Sequence, residues 1–178
     1  MRRRKQNTPI SLMLRGNQCQ VSRHIEEAVA CFESARTALE QYLSRGSESP
    51  RAMRQLCFCL ARLGKLAIER GPDSDARNHC ERNLAVTQGL AVRVARAPDS
   101  LRTLVQAHKR LGDLERKAGQ IEAARAQFEQ ILVINREFVD QCGRTSQALW
   151  DQAVGLLKIG DLDWEEGRLT CPPPAVPS

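Results

Sequence analysis

The chain has 178 residues, of which 42% are hydrophobic and 4% aromatic, and its formal net charge at pH 7 is +6. That hydrophobic fraction is enough for a folded core, and the scarcity of aromatic rings suits helix–helix seams made of Leu, Val, Ile and Ala. No stretch approaches the roughly 18 consecutive apolar residues that a membrane-spanning helix needs, so a membrane protein is not expected.

The charge is unevenly distributed along the chain. Residues 1–49 carry 8 basic and 5 acidic side chains, residues 50–118 carry 14 and 7, and residues 119–178 carry 5 and 9. The three segments therefore have net charges of +3, +7 and −4. Such a division is typical of a solvated surface, and it also fits an interaction surface for an acidic partner.

The chain begins with a basic segment, residues 1–8, which is predicted to be disordered. Its basic side chains are Arg2, Arg3, Arg4 and Lys5. The apolar run that follows is too short for a signal peptide, so secretion is not expected. A weakly patterned helix over about 9–23 and a better one over about 25–43 form the first predicted pair.

Two further helix pairs and one last helix are predicted after a polar loop. The second pair begins at Pro50, turns at Gly71 and reaches about residue 95. The third pair covers residues 98–142 and turns at Gly119, and the last helix covers about 146–166. Proline is tolerated in the first turn of a helix and glycine commonly ends one, which is why these residues mark the boundaries.

A repeat of 48 residues underlies these elements. A shift of 48 superposes three pairs of a bulky aliphatic residue and a glycine: Leu63-Gly64, Leu111-Gly112 and Ile159-Gly160. It also superposes three glycines that follow helices: Gly71, Gly119 and Gly167. Self-similarity at a fixed period of this size is typical of stacked-repeat proteins.

The spacing of Leu111-Gly112, Gly119, Ile121, Ala124 and Phe128 resembles the tetratricopeptide repeat. In that family the glycine in the first helix and the alanine in the second are small, so that the two helices approach closely. A tetratricopeptide repeat has about 34 residues, and the 14 additional residues here would add about two turns to each helix without changing the phase. The chain resembles long-helix arrays of this kind in bacterial multidomain proteins, often beside signalling or caspase-like modules.

The resemblance implies an all-α fold, a right-handed superhelical solenoid of antiparallel helical hairpins. The predicted parts are a disordered basic start over 1–8, a helical array over 9–167 and a disordered Pro-rich tail over 168–178. Within the array the predicted units are repeats 9–48, 49–96 and 97–144 and a capping helix 145–167. The acidic side chains of the last helix suit a terminal cap, and a fragment of a longer array would have the same pattern.

No catalytic chemistry is predicted. Phosphate-binding loops, dinucleotide fingerprints, nucleophile elbows and metal-binding helix motifs do not occur in the sequence, so we expect no enzyme activity, cofactor or metal. His79 and Cys80 are adjacent on a helix and diverge by about 100°, so they cannot act together as base and nucleophile. His108 is expected to be partly buried. The cysteines lack zinc-finger spacing and are predicted to be reduced core thiols of a cytoplasmic protein.

The candidate binding residues come from the family resemblance. In tetratricopeptide arrays the first helices of the repeats line a concave groove that holds a peptide. The residues placed there by the Leu-Gly register are Lys65, Glu69, Gln106, Lys109, Asp113, Arg116, Lys117 and Trp164. The asparagines of the carboxylate clamp found in chaperone-binding members are missing, so a chaperone C-terminus is not the expected ligand. The register puts Arg77 and Arg125 on the second helices, outside the groove.

We therefore predict a non-catalytic protein–protein interaction scaffold that binds a peptide or a segment of a partner protein, and an acidic segment is one candidate. We predict no membrane association and no small-molecule substrate. The alternative is a nucleic-acid-binding helical solenoid that uses the basic start and the basic middle. Few stacking aromatics and no regularly repeated base-reading pair speak against this alternative. A third interpretation is a structural linker within a larger polypeptide.

Overall fold

The structure, a computed structural model, describes residues 8–71 and 74–168 and contains seven α-helices within them. These are α1 (Pro9–Val21), α2 (Ile25–Ser44), α3 (Pro50–Arg70), α4 (Ser74–Arg93), α5 (Pro98–Lys117), α6 (Ile121–Cys142) and α7 (Ser146–Glu165). The part of the chain that is described contains no strand. The predicted all-α class is confirmed, and the predicted helix ends lie within about two residues of the observed ones.

The two segments predicted to be disordered lie outside the described residues, apart from Thr8 and Arg168. Thr8 is the N-cap of α1, and its hydroxyl accepts a hydrogen bond from the backbone N–H of Ser11 at 3.3 Å. The Arg168 guanidinium donates to Glu122 on α6.

The first helices of the hairpins start in the same way. A proline occupies the start of α1, α3 and α5, where its missing N–H has no intrahelical partner to lose. The hydroxyls of Ser49 and Thr145 cap α3 and α7 by accepting hydrogen bonds from the N–H groups of Ala52 and Ala148. Ala97 occupies the corresponding position before α5, which has no side-chain cap.

Each helix packs on its neighbours in the chain. The helices pair as hairpins α1/α2, α3/α4 and α5/α6, and α7 packs on α6 without a described helix after it. In addition, α3 touches both α1 and α5. The first helices therefore lie side by side, and we call the surface that α1, α3, α5 and α7 share the inner surface. No helix among the described residues is long and apolar enough to cross a membrane.

A glycine marks the place where the two helices of each hairpin touch. A Cβ added to Gly16 would lie 2.8 Å from Cε1 of Phe32, and one added to Gly112 would lie within 3.0 Å of several atoms of the Phe128 ring. Both phenylalanine side chains are fully buried. The predicted close approach at Gly112 is confirmed. The conformational freedom of glycine is not needed here, because both glycines have a helical backbone. What matters is that glycine has no Cβ.

The cysteines are mostly core residues, with one exception. Five of the six described cysteines are buried, and burial raises the pKa of Cys59 to about 12 and that of Cys80 to about 11, which keeps both as thiols at neutral pH. Cys142, however, is exposed, so its predicted burial is wrong. It is the last residue of α6, next to the turn at Gly143. Cys171 lies outside the described residues.

Gly112 and Gly160 provide a matched pair of substitutions, because within the described residues nothing lies within 4 Å of a Cβ added at Gly160. We expect Gly160→Ala to stabilise the fold by up to about 1 kcal/mol through helix propensity alone. Gly112→Ala should instead destabilise it by about 1–3 kcal/mol, because the buried Phe128 ring must move. Urea denaturation of both variants measures this. A stabilising Gly112→Ala would contradict the close contact.

Arg23, the second residue after α1, provides a second prediction. Gly119 and Gly167 adopt positive φ (73° and 68°) after their helices, and at the same register Arg23 has φ 62°. A side chain in this left-handed region is unfavourable by roughly 1–2 kcal/mol. Arg23→Gly should therefore stabilise the fold by about 0.5–1 kcal/mol, after the greater chain entropy of unfolded glycine is subtracted. Arg23→Ala, which removes the charge but keeps the Cβ, is the control and should bring no gain.

Candidate partner-binding groove

A cavity of about 820 Å³ opens on the inner surface between α3, α5 and α7. Its lining residues are Lys65, Ile68, Glu69, Gln106, Lys109, Arg110, Asp113, Arg116, Lys117, Lys158 and Glu165. Seven of the eight predicted binding residues are among them. The eighth, Trp164, does not line the cavity, and its side chain is 63% exposed on α7. The register thus brought together the predicted residues of α3 and α5.

Several cations of this cavity are already paired. Lys158 on α7 forms an ion pair with Asp113 on α5 at 2.7 Å. Arg116 on α5 donates to two carboxylates of α7, Asp161 at 3.0 Å and Glu165. These contacts join α5 to α7 and neutralise the end of the cavity nearest α7. Arg116 and Asp113 therefore stabilise the wall of the cavity, a role that the sequence did not indicate.

Three cations on α5 remain without such partners. Lys109, Arg110 and Lys117 have no carboxylate within 4.0 Å among the described residues, and we call them the unpaired triad. Lys65, on the opposite wall, has only a loose contact of 3.7 Å with Glu69 one helical turn away. The middle of the cavity therefore has an excess of positive charge that the protein itself does not neutralise.

Arg110 is the most unusual member of the triad. Its guanidinium is half-buried, and its described hydrogen bond goes to the backbone carbonyl of Gln106 at 3.2 Å. Burial lowers the pKa of this arginine from its ordinary value; Cys80 opposes this lowering, and the nearby charge of Arg62 adds a smaller contribution to it. A desolvated cation without an anion is energetically unfavourable, so a bound anion would relieve that energy.

The repeat register explains why Arg110 lacks a partner. Arg62, Arg110 and Lys158 are 48 residues apart, and Lys158 pairs with Asp113. The position that corresponds to Asp113 one repeat earlier is Lys65, so the residue that would supply a carboxylate to Arg110 is a lysine. Arg110 was not among the predicted binding residues, although the recurrence of a basic residue at this position in three repeats was a signal for it.

A second cavity, of about 660 Å³, adjoins the first along α3 and α5. Arg110 and Gln106 line both cavities, so Arg110 stands where the two meet. Arg54 and Arg102 add positive charge, and Asp151, which is buried and accepts a hydrogen bond from Gln147, adds negative charge. We call the two adjoining cavities the groove.

Arg77 and Arg125 are on the second helices, as predicted, but they are not free surface charges. The Arg77 guanidinium on α4 binds both oxygens of the buried Glu115 carboxylate on α5, with one bond of 2.9 Å. Forty-eight residues later, Arg125 on α6 binds Asp163 and Glu166 near the end of α7. These pairs join consecutive repeats, so reversing either charge would disturb the fold.

The remaining polar groups of the interior do not form a second site. His108 is buried, as expected, and its Nδ1 lies 2.8 Å from Oε1 of Gln127, on the side of α5 that faces α6. Burial lowers the pKa of His108, so it is neutral at physiological pH. Among the described residues no three His, Cys, Asp or Glu side chains lie close enough together to hold a metal ion.

Comparison with known proteins adds no relative to these observations. No model of a protein family matches the chain, and no curated protein matches its sequence.

Arg110 yields a prediction about stability. We expect Arg110→Met to raise the free energy of unfolding by about 1 kcal/mol, because a half-buried unpaired charge is replaced by an apolar chain of similar length. Arg102→Met is the control, since Arg102 is exposed on the same helix and its replacement should change little. Denaturant melts at neutral pH measure both. A destabilised Arg110→Met would show that the guanidinium is satisfied in the folded protein.

Proposed function

We propose that the protein is a non-catalytic interaction scaffold that binds an acidic segment of a partner protein in the groove. In this proposal the hairpins form a right-handed superhelix of the tetratricopeptide type, with the inner surface as its concave side. The observation that carries the proposal is the unpaired triad, Lys109, Arg110 and Lys117, in a cavity whose other strong cations are already paired. A cytoplasmic location belongs to the same proposal and is supported by the buried free thiols.

The chemistry of the triad favours carboxylates as ligands. A guanidinium can bind a carboxylate through two parallel hydrogen bonds, and charge-assisted bonds contribute about 1.5–3 kcal/mol each when partly desolvated. Arg110 is already partly desolvated in the free protein, so part of the desolvation that binding requires has already occurred there. Lys117 is exposed, and we expect it to act mainly on association rate and salt dependence, whereas Lys109 is half-buried like Arg110.

The surroundings of the triad favour an acidic protein segment over a nucleic acid. Carboxylates of α7, Asp161 and Glu165, already occupy Arg116 at one side of the groove, so this side offers no free cation to a continuous phosphate backbone. Phe58 lines the groove, but it already packs under Arg62 at 5.0 Å, so its face is not free to stack on a base. A short run of Asp or Glu side chains needs no cations beyond those of the triad.

The groove is tested with charge reversals and a defined probe. We expect Lys109→Glu with Lys117→Glu to weaken binding of a fluorescein-labelled Glu-rich peptide by at least about tenfold, the equivalent of about 1.4 kcal/mol. Arg110→Met should weaken the same binding while it stabilises the fold. Fluorescence anisotropy at constant ionic strength measures the affinity, and thermal melts show whether each variant is folded.

The control is Arg136→Glu, an exposed arginine on α6 that lies outside the groove. It changes the net charge by the same amount per substitution and should leave the affinity nearly unchanged. Equal losses from Arg136→Glu and from Lys109→Glu alone would show diffuse electrostatic attraction and contradict a groove. Tighter binding of single-stranded RNA than of the peptide, with a steep dependence on salt, would instead favour the nucleic-acid alternative.

A further inference from the structure

Helix α7 leaves an apolar face uncovered. Five of the large hydrophobic side chains that are exposed in the described residues belong to this one helix: Leu149, Trp150, Leu156, Leu157 and Trp164. One repeat earlier, the residues that correspond to Leu149 and Ala153 are Leu101 and Val105. Leu101 and Val105 are buried in a core cluster that includes residues of α6. Surface clusters of this kind commonly mark interaction sites.

The face has a heptad pattern in which large and small residues alternate. Trp150, Ala153, Leu157, Gly160 and Trp164 are separated by three, four, three and four residues, and we call this row the α7 seam. Such spacing places all five on one side of a helix, as in a coiled coil. The large members are each more than 60% exposed, and a Cβ at Gly160 would meet no described atom within 4 Å.

The seam is complementary to itself. In an antiparallel helix pair the two apolar heptad positions face each other, so large residues can be set opposite small ones. Two copies of α7 achieve this in one register. Trp150 then faces Gly160 of the second copy, Leu157 faces Ala153, and Trp164 faces Ser146. Each large side chain meets a small one, which satisfies the shape requirement of a closely packed helix pair.

The residues that flank the seam agree with this register. The twofold axis brings Leu156 against Leu156 of the second copy and Val154 against Val154. Asp161 falls opposite Gln147, so no two like charges meet across the pair, and Asp161 is in addition neutralised by Arg116. Lys158, the basic residue of α7, is paired with Asp113 away from the seam.

We propose that the protein forms a homodimer through antiparallel packing of α7 on α7 of a second copy. The interface is isologous, with the same seam contributed by each copy. This inference goes beyond the proposed binding of an acidic segment and does not depend on it, because the unpaired triad belongs to α5.

Sedimentation velocity and intrinsic fluorescence of the whole chain test the dimer. The chain has two tryptophans, and both lie in the seam, so association should shift their emission to the blue. We expect a mass of twice 19.9 kDa at micromolar concentration, together with that shift. A mass of 19.9 kDa at all concentrations accessible in solution would overturn the proposal. A monomer that binds a peptide of residues 121–142 would also overturn it, because the α7 seam would then bind a helix other than a second α7.

Charge exchange at the twofold axis tests the register. Leu156→Glu and Leu156→Lys should each yield a monomer, because like charges meet at the axis, and an equimolar mixture of the two should restore the dimer and the blue shift. Gly160→Leu should weaken the dimer at least about tenfold by filling the place of Trp150, while removal of a mid-helix glycine raises the melting temperature of the dilute protein.

Val133→Glu is the matched control, since Val133 is 57% exposed on α6 and lies outside the seam. It should leave the mass unchanged. A dimer that survives Leu156→Glu, or a mixture that stays monomeric although both variants melt cooperatively, would place the interface elsewhere and overturn the proposed register.

Discussion

The contact between a helical glycine and the side chain sixteen residues later determines the geometry of each hairpin. In α1/α2 and α5/α6 that side chain is a buried phenylalanine, seated where the glycine has no methyl group. In α3/α4 it is Cys80, whose Sγ would lie 3.1 Å from a Cβ at Gly64. Because this contact fixes which turn of one helix lies against which turn of the other, it also determines which other residues of the two helices face each other in the core. The middle hairpin keeps the same alignment of its helices with a smaller side chain and a looser contact.

Consecutive hairpins are held in register by a second recurring interaction. Arg77 reaches Glu115 across the boundary between the second and third repeats, and Arg125 reaches Asp163 across the next boundary. At the first boundary the corresponding residues are Val29 and Ala67, which are apolar and pack against two different core clusters. The buried Glu115 carboxylate would be strongly unfavourable without its guanidinium, so this pair specifies the alignment of two repeats even where its net contribution to stability is small.

Much of the fold could be predicted from the sequence, because the signals that determine it are local and repeated. Prolines at helix starts, glycines after helix ends and the 48-residue period placed every helix to within about two residues. The close approach at Gly112 followed from the same register. The exposure of Cys142 could not be predicted from this register. Cys142 fits the apolar stripe of α6, but it is the last residue of that helix and is exposed.

The groove was predictable in position and not in chemistry. The register placed Lys109 and Arg116 on one wall correctly, yet one is unpaired and the other binds two carboxylates of α7. Which cations are neutralised depends on side chains that come from another helix, 45 to 49 residues away, and helical periodicity carries no information about such pairs. Trp164 was assigned to the groove for the same reason, because its register matches lining positions although its side chain does not reach the cavity.

The distribution of charge along the chain explains why the unpaired triad lies in the middle of the array. The acidic residues 119–178 supply carboxylates to the last repeat boundary, where Asp161, Asp163 and Glu165 neutralise Arg116 and Arg125. The α7 carboxylates form no ion pair with Lys109, Arg110 or Lys117, and the segment 50–118 itself has twice as many basic as acidic side chains. Positive charge therefore accumulates on α5, at the end of the basic segment 50–118 that borders the acidic segment 119–178. The acidic segment that we propose to bind there would complete a pattern of neutralisation that the α7 carboxylates begin.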